Sequence, residues 1–349
     1  MNNKIIKNVP RNIIIMALLI FITFKYLITG FTSKDIFKAI KNADGKLLVF
    51  SIVLSIIYIL CEAFNTKNML QSYGYKTDIF RTAMYAFSGY FFSGLTPSAT
   101  GGQPMQVFIM KKDNIKISHS SLILMIELCV YQFVTVIMAV IGFYYNYDYI
   151  FSKKGLNVWI IYLGIFINLL IFLFIVFAIF SGRFIKFTRR IAFFAINKLP
   201  LSEKDDKKNM INKGLDDYRN SSIFIKKNKK LVSIILLTTT IQVTVLYTIS
   251  YIVYRSLGFN NLAYYRIIFL QALAYVSVSS LPLPGAIGVS EKLFQFLFLS
   301  VYNKDVITDA LVLTRGANFY VLFAISALIF FVSFGEYIFK QKKEEVKNV

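Results

Sequence analysis

Glu127, Glu291 and Arg315 are ionisable side chains inside or at the edge of long apolar stretches. A charge at membrane depth costs a few kcal/mol on insertion scales, so each needs a partner or a task. Asn318 stands close to Arg315, Gln132 close to Glu127, and Glu291 directly follows a stretch rich in glycine and proline. Either Glu127 or Glu291 can pair with Arg315 in a common interior. Such a pair has two readings. It is an ion pair that holds helices together, or it lines a polar cavity in which Arg315 meets a phosphate and the carboxylates meet an amine. Gln103, Gln106, Gln242, Gln271 and Gln295 add hydrogen-bonding groups without charge. Glu62 sits near the end of its apolar run and is expected to reach the interface.

Other chemistry is poorly supplied. The chain has one histidine, His119, and two cysteines, Cys61 and Cys129, far apart within apolar runs. They offer no metal-ligand spacing, no disulfide framework and no Ser-His-Asp triad. There is no GxxxxGK[ST] loop and no dinucleotide fingerprint. No catalytic residue, metal or cofactor is therefore expected, and any transport must be uncoupled, ion-coupled or driven by a partner.

Two apolar regions are interrupted. The first break reads SGLTPSATGGQP over residues 93–104, and the second reads SSLPLPGAIGVSE over residues 279–291. Four of the six prolines fall in them, Pro97, Pro104, Pro282 and Pro284. Proline removes a helix donor and clashes with the preceding turn. Gly101, Gly102, Gly285 and Gly288 open backbone angles that other residues avoid. Each region is expected to be two half-helices joined by extended backbone, which is tolerated in a bilayer only when buried in protein or lining a wet cavity. A matching pair of such breaks in two halves of a chain is the sequence pointer to a transporter binding site. Half-helix N-termini near Gly102 and Gly288 can offer backbone N–H groups to an anion.

The elements that must position these residues are membrane spans. Of 349 residues, 56% are hydrophobic and 16% charged, with mean hydropathy +0.60. The apolar residues come in blocks rather than alternating. That excludes a soluble enzyme, a disordered chain and an outer-membrane barrel, and indicates an all-α integral membrane protein. Residues 12–30, 47–64, 121–144, 158–180, 231–253 and 310–334 are each long enough to cross as helices. The first is expected to be a retained span, because no A-x-A-like cleavage site follows it. The expectation is a polytopic helical bundle of six full spans plus two re-entrant broken segments in an internal repeat, forming one transmembrane domain over 1–349.

The net charge of +21 suggests nucleic acid only for a soluble protein; here the basic residues sit between apolar runs, as in membrane loops. Residues 181–230 hold 14 Lys and Arg against 5 Asp and Glu and are expected to form a cytoplasmic loop, with 335–349 a cytoplasmic tail. The first broken segment would then enter and leave on the cytoplasmic side and the second on the outer side. Lys34, Lys38, Lys41 and Lys46 favour the alternative, eight full crossings with both termini outside. The stretch 183–199 mixes Phe184, Ile185 and Phe194 with Arg183, Lys186 and Arg190. It reads equally as a surface amphipathic helix or as an overhang of the preceding span.

Two motifs carry a resemblance. Pro97, Ser98, Gly101, Gly102, Gln103 and Pro104 lead into MQVFIMKK, and Pro284, Gly285 and Gly288 lead to Glu291. With Arg315 followed by Phe319 and Tyr320, they resemble the lysylphosphatidylglycerol synthase transmembrane region family, the flippase-like membrane part of the multiple peptide resistance factor, over nearly the whole chain. Many members carry Glu and Arg where this chain has Gln103 and Gln106, so that charge pair is absent here. The resemblance implies a multi-pass plasma-membrane protein that moves an anionic or aminoacylated phospholipid between leaflets. With Glu127, read from its place inside an apolar run, the motif residues Pro97, Ser98, Gly101, Gly102, Gln103, Pro104, Pro284, Gly285, Gly288, Glu291 and Arg315 make up the candidate substrate-binding set. Two-domain members also carry a cytosolic domain that transfers lysine to the lipid; this chain ends about fifteen residues after its last span, so that activity is not expected here. The alternatives are phosphatidylglycerol lysyltransferase activity, or a non-catalytic membrane partner of a separate synthase or glycosyltransferase. A second copy of the chain is a further candidate partner.

Overall fold

A computed structural model describes residues 32–96, 99–152, 158–199, 203–279, 289–299 and 301–347. Among them the ordered elements are helical throughout. In chain order they are α1 (Ser33–Lys41), α2 (Gly45–Ser72), α3 (Ile79–Leu95), α4 (Gly102–Lys112), α5 (Ile117–Tyr145), α6 (Tyr147–Ser152), α7 (Trp159–Phe180), α8 (Gly182–Lys198), α9 (Lys204–Lys227), α10 (Lys229–Ser256), α11 (Tyr264–Ser279), α12 (Val289–Phe298), α13 (Ile307–Arg315) and α14 (Val321–Lys347). A π-helical turn, Gly316–Tyr320, joins α13 to α14.

Five helices are long and apolar enough to cross a membrane: α2, α5, α7, α10 and the rod Ile307–Gly335. They coincide with five of the six expected spans. The sixth, 12–30, lies outside the described residues. Phe166, Leu173 and Phe174 of α7 are more than half exposed. Such apolar side chains pointing away from the protein are accounted for by hydrocarbon around the bundle rather than water.

The two broken regions form helical hairpins. In the first, α3 runs in and α4 runs back, and the two open ends are clamped. The Arg81 guanidinium donates from Nε to Asp113 Oδ2 at 2.6 Å and from Nη2 to Oδ1, and the Tyr85 hydroxyl donates to the same carboxylate. In the second hairpin, Phe259 before α11 packs against Tyr302 after α12, with ring centroids 5.5 Å apart, so α12 ends near where α11 begins. The hairpins open at opposite ends of the bundle. Helix α5 shows this: its start lies at the base of the first, where Tyr73 stacks on His119 at 4.5 Å. Its far end lies by the second, where Tyr145 stacks on Phe269 at 5.6 Å. The order long helix, hairpin, long helix thus occurs twice, as α2, α3–α4, α5 and as α10, α11–α12, α13–α14. Helix α3 packs on α2 and on α14, while α11 packs on α10 and on α5, so each hairpin is held by both halves.

Close backbone approach explains the small residues. A Cβ on Gly102 would stand 2.5 Å from the Gly89 carbonyl oxygen, so α3 and α4 touch backbone to backbone. A Cβ on Gly164 of α7 would stand 2.6 Å from Ser277 Cα, so α7 lies directly on the second hairpin. The interrupted ends also need hydrogen-bond partners, because lipid supplies none. The Thr96 hydroxyl donates to the Phe92 carbonyl at 2.9 Å and accepts from the Gly101 amide at 2.8 Å, joining the end of α3 to the start of α4. At the end of α11, Asn168 of α7 donates to the Val276 carbonyl at 2.9 Å and accepts from the Ser279 hydroxyl at 3.0 Å.

The described residues of 181–230 are not an open loop. They form α8, α9 and the start of α10, with α8 and α9 packed on each other and joined by Arg189–Asp216 at 2.7 Å. The Ser181 hydroxyl accepts from the Arg183 and Phe184 amides and caps α8, which is therefore a separate helix and not an overhang of α7. The expected tail after residue 334 is likewise helical as far as Lys347.

Gly102→Ala should lower the melting temperature in detergent by the equivalent of about 1–3 kcal/mol, the usual cost of overpacking. Gly182→Ala, where a Cβ meets nothing within 4 Å, should be neutral or slightly stabilising. Equal effects at the two sites would contradict the close hairpin contact.

Candidate functional site

Between the two hairpins lies a cavity of about 590 Å³. It is walled by α2, α3, α4, α5, α10, α11, α12 and the α13–π turn, with Glu62, Glu127 and Arg315 as its charged lining residues.

One wall is acidic. Glu62 lies ten residues before the end of α2 and Glu127 ten residues after the start of α5. Those ends meet at the Tyr73–His119 stack, so both carboxylates sit at one depth, roughly 15 Å in at 1.5 Å per residue. Glu62 Oε1 accepts from Gln106 Nε2 at 2.9 Å. Glu127 Oε1 accepts from the Thr66 hydroxyl at 2.6 Å. Asn65 lies on α2 between Glu62 and Thr66 in sequence and donates to the Thr239 hydroxyl of α10 at 3.1 Å.

The other wall holds an ion pair. Arg315 Nε and Nη2 both lie 3.3 Å from Glu291 Oε1, and the two side chains are only 16% and 14% exposed. The guanidinium also lies 5.3 Å from the centre of the Phe319 ring. Arg315 precedes the π turn, whose wider winding leaves backbone carbonyls without their usual helical partners. Ser55 of α2 donates to the Ala317 carbonyl at 2.7 Å, and Tyr90 of α3 donates to the Asn318 carbonyl at 2.9 Å. These two bonds fix the turn that presents Arg315. Tyr131 and Tyr275, bonded at 3.1 Å, join α5 to α11 across the cavity wall.

The sequence candidates are distributed unevenly. Gln103, Glu127 and Arg315 line the cavity, and Glu291 reaches it through Arg315. Gly101 and Gly102 form the start of α4 behind the lining. Pro104 is exposed, away from the lining residues. Pro97, Ser98, Pro284, Gly285 and Gly288 lie outside the described residues, as does Pro282. Of the five glutamines, Gln103, Gln106, Gln242 and Gln271 line the cavity; Gln295 points outward. Arg315 pairs with Glu291 and not with Glu127. Glu62 does not end at the interface: α2 continues to Ser72, which carries Glu62 into the interior. Gly89 and Asn168 were also absent from the sequence candidates. Among the described residues no group of three or more His, Cys, Asp or Glu side chains could hold a metal ion.

Long apolar helices around a charged internal cavity, with interrupted helices at its rim, define a polytopic helical membrane protein. A sequence profile described as the lysylphosphatidylglycerol synthase TM region matches residues 12–326, and the chain belongs to that family. It is similar to a UPF0104 membrane protein of Archaeoglobus fulgidus, with 24% identity over 302 residues, 84% of this chain and 88% of the relative.

Arg315→Met should destabilise the protein by about 3 kcal/mol, because Glu291, only 14% exposed, loses its counter-charge. Adding Glu291→Gln should recover most of the loss. Thermal unfolding in detergent checks both. A single variant as stable as the wild type would show that the pair contributes no stability.

Proposed function

We propose that this protein moves phospholipid between the leaflets of the plasma membrane, with the head group passing through the cavity. The observation that carries the reading is a largely buried arginine and three carboxylates gathered at the meeting of two interrupted helices. Arg315 suits the phosphate, and the first turns of α4 and α12 add backbone N–H groups. Three carboxylates against one guanidinium favour a head group that brings positive charge along with its phosphate. An aminoacylated lipid of the lysyl-phosphatidylglycerol type has that chemistry; a purely anionic lipid does not. Carrying such a lipid outward would reduce the negative charge of the outer surface and its attraction for cationic antimicrobial peptides.

The same reading takes the hairpins as re-entrant, entering from opposite faces as parts of an inverted repeat. The end that carries α8, α9 and Lys116 is then cytoplasmic, by the excess of basic residues there.

Purified protein in liposomes should move labelled lysyl-phosphatidylglycerol faster than labelled phosphatidylglycerol, measured by quenching of the outer-leaflet label. Gly102→Leu should abolish movement. The reading fails if no labelled lipid moves, or if membranes with this chain as the sole added protein form lysyl-lipid from charged tRNA.

A further inference from the structure

The acidic wall of the cavity is short of donors. Glu62, Asn65 and Thr66 lie on one face of α2, at i, i+3 and i+4, where neighbouring Cβ atoms are roughly 5–6 Å apart. Thr66 holds Glu127 and Gln106 holds Glu62, so three helices, α2, α4 and α5, bring their polar groups to one corner. Both carboxylates have neutral hydrogen-bond partners, and no described Lys or Arg is paired with either.

Two further atoms point to a missing positive group. Asn65 is 1% exposed and Gln106 is 5% exposed; both line the cavity. Their amide nitrogens are engaged, with Thr239 and Glu62 respectively. Their amide oxygens, Asn65 Oδ1 and Gln106 Oε1, are buried without a hydrogen-bond partner. A buried acceptor left unmatched is costly, and two carboxylates in one low-dielectric corner repel each other. The corner thus holds two carboxylates and two amide oxygens without donors, and its described side chains bring no Lys or Arg into it.

We propose that the Glu62–Asn65–Gln106–Glu127 corner binds a monovalent cation, a proton or sodium, that couples its own passage to movement of the head group. The coupling rests on the lipid-translocation reading; the binding does not. The other ionisable groups facing the cavity are Tyr58 of α2, Tyr90 of α3, Tyr131 of α5, Tyr275 of α11, and Arg315 of α13 with its partner Glu291 of α12. Arg315 is engaged with Glu291, so until a cationic head group arrives the acid corner draws its charge from solution. Gln106 belongs to the first hairpin, so a movement of that hairpin would alter the corner and the lipid path together.

Two measurements test this, and they fail separately. In detergent, wild-type protein should gain about 2–4 °C in melting temperature on binding the cation. A gain with sodium over choline at equal ionic strength and fixed pH identifies sodium. A gain on acidification without a sodium effect identifies the proton. The double variant Glu62→Gln/Glu127→Gln, already neutral, should respond to neither; if the double does not fold, each single variant, which keeps one carboxylate, should respond less than the wild type. In liposomes, a gradient of the identified cation should change the rate of lipid movement in wild type and not in the variants. Equal responses of wild type and variants to sodium and to pH would overturn the cation site. Cation binding without any lipid movement would leave the site standing and remove the translocation reading. Lipid movement in wild type that ignores both gradients would overturn the coupling.

Discussion

Within a bilayer, a backbone amide or carbonyl that loses its helical partner has no water to turn to. That constraint governs this fold. The chain breaks its helices where the cavity forms, and the freed groups among the described residues are met by particular side chains. Thr96 serves both sides of the first break with one hydroxyl. Asn168 reaches from a neighbouring helix to the carbonyl of Val276. Ser55 and Tyr90 take the carbonyls of the π turn after Arg315. The breaks are thus fixed parts of the structure, and the cavity is the space they enclose.

Charge follows from the same geometry. A carboxylate is tolerated at this depth only with partners, and the two walls solve the problem differently. Glu291 has Arg315, a full counter-charge at 3.3 Å. Glu62 and Glu127 have an amide and a hydroxyl, which orient a carboxylate without neutralising it. The cavity therefore has one balanced wall and one wall that asks for positive charge, an asymmetry suited to a ligand with a phosphate at one point and a cationic group at another.

Much of this was legible in the sequence, for physical reasons. Apolar blocks the length of a bilayer have few alternatives to a spanning helix, and five of the expected spans coincide with α2, α5, α7, α10 and the 307–335 rod. Proline and glycine clustered in 93–104 and 279–291 forbid continuous helices, and α3–α4 and α11–α12 are separate half-helices around them. Glu62 was misjudged because its apolar run stops at Phe64, whereas packing carries the helix through the polar NTKNMLQS to Ser72. The Arg81–Asp113 clamp was invisible because each residue, taken alone, is an ordinary interfacial charge 32 positions from the other. Asn168 looked like a single polar residue in an apolar run; only the neighbouring helix end shows its role. The partner of Arg315 was left between two acids, since sequence spacing does not say which helix faces it.

The central claim is that water reaches a polar cavity at membrane depth between the two hairpins. Single cysteines at Gln103 and Ser290, in a chain with Cys61 and Cys129 replaced by alanine, test it directly in reconstituted vesicles. Both line the cavity and should react with a small charged thiol reagent. A cysteine at Phe174, which is 59% exposed on the outer face of α7, should not react. Labelling at Phe174 equal to that at Gln103 and Ser290, or no labelling at either cavity position, would contradict the account.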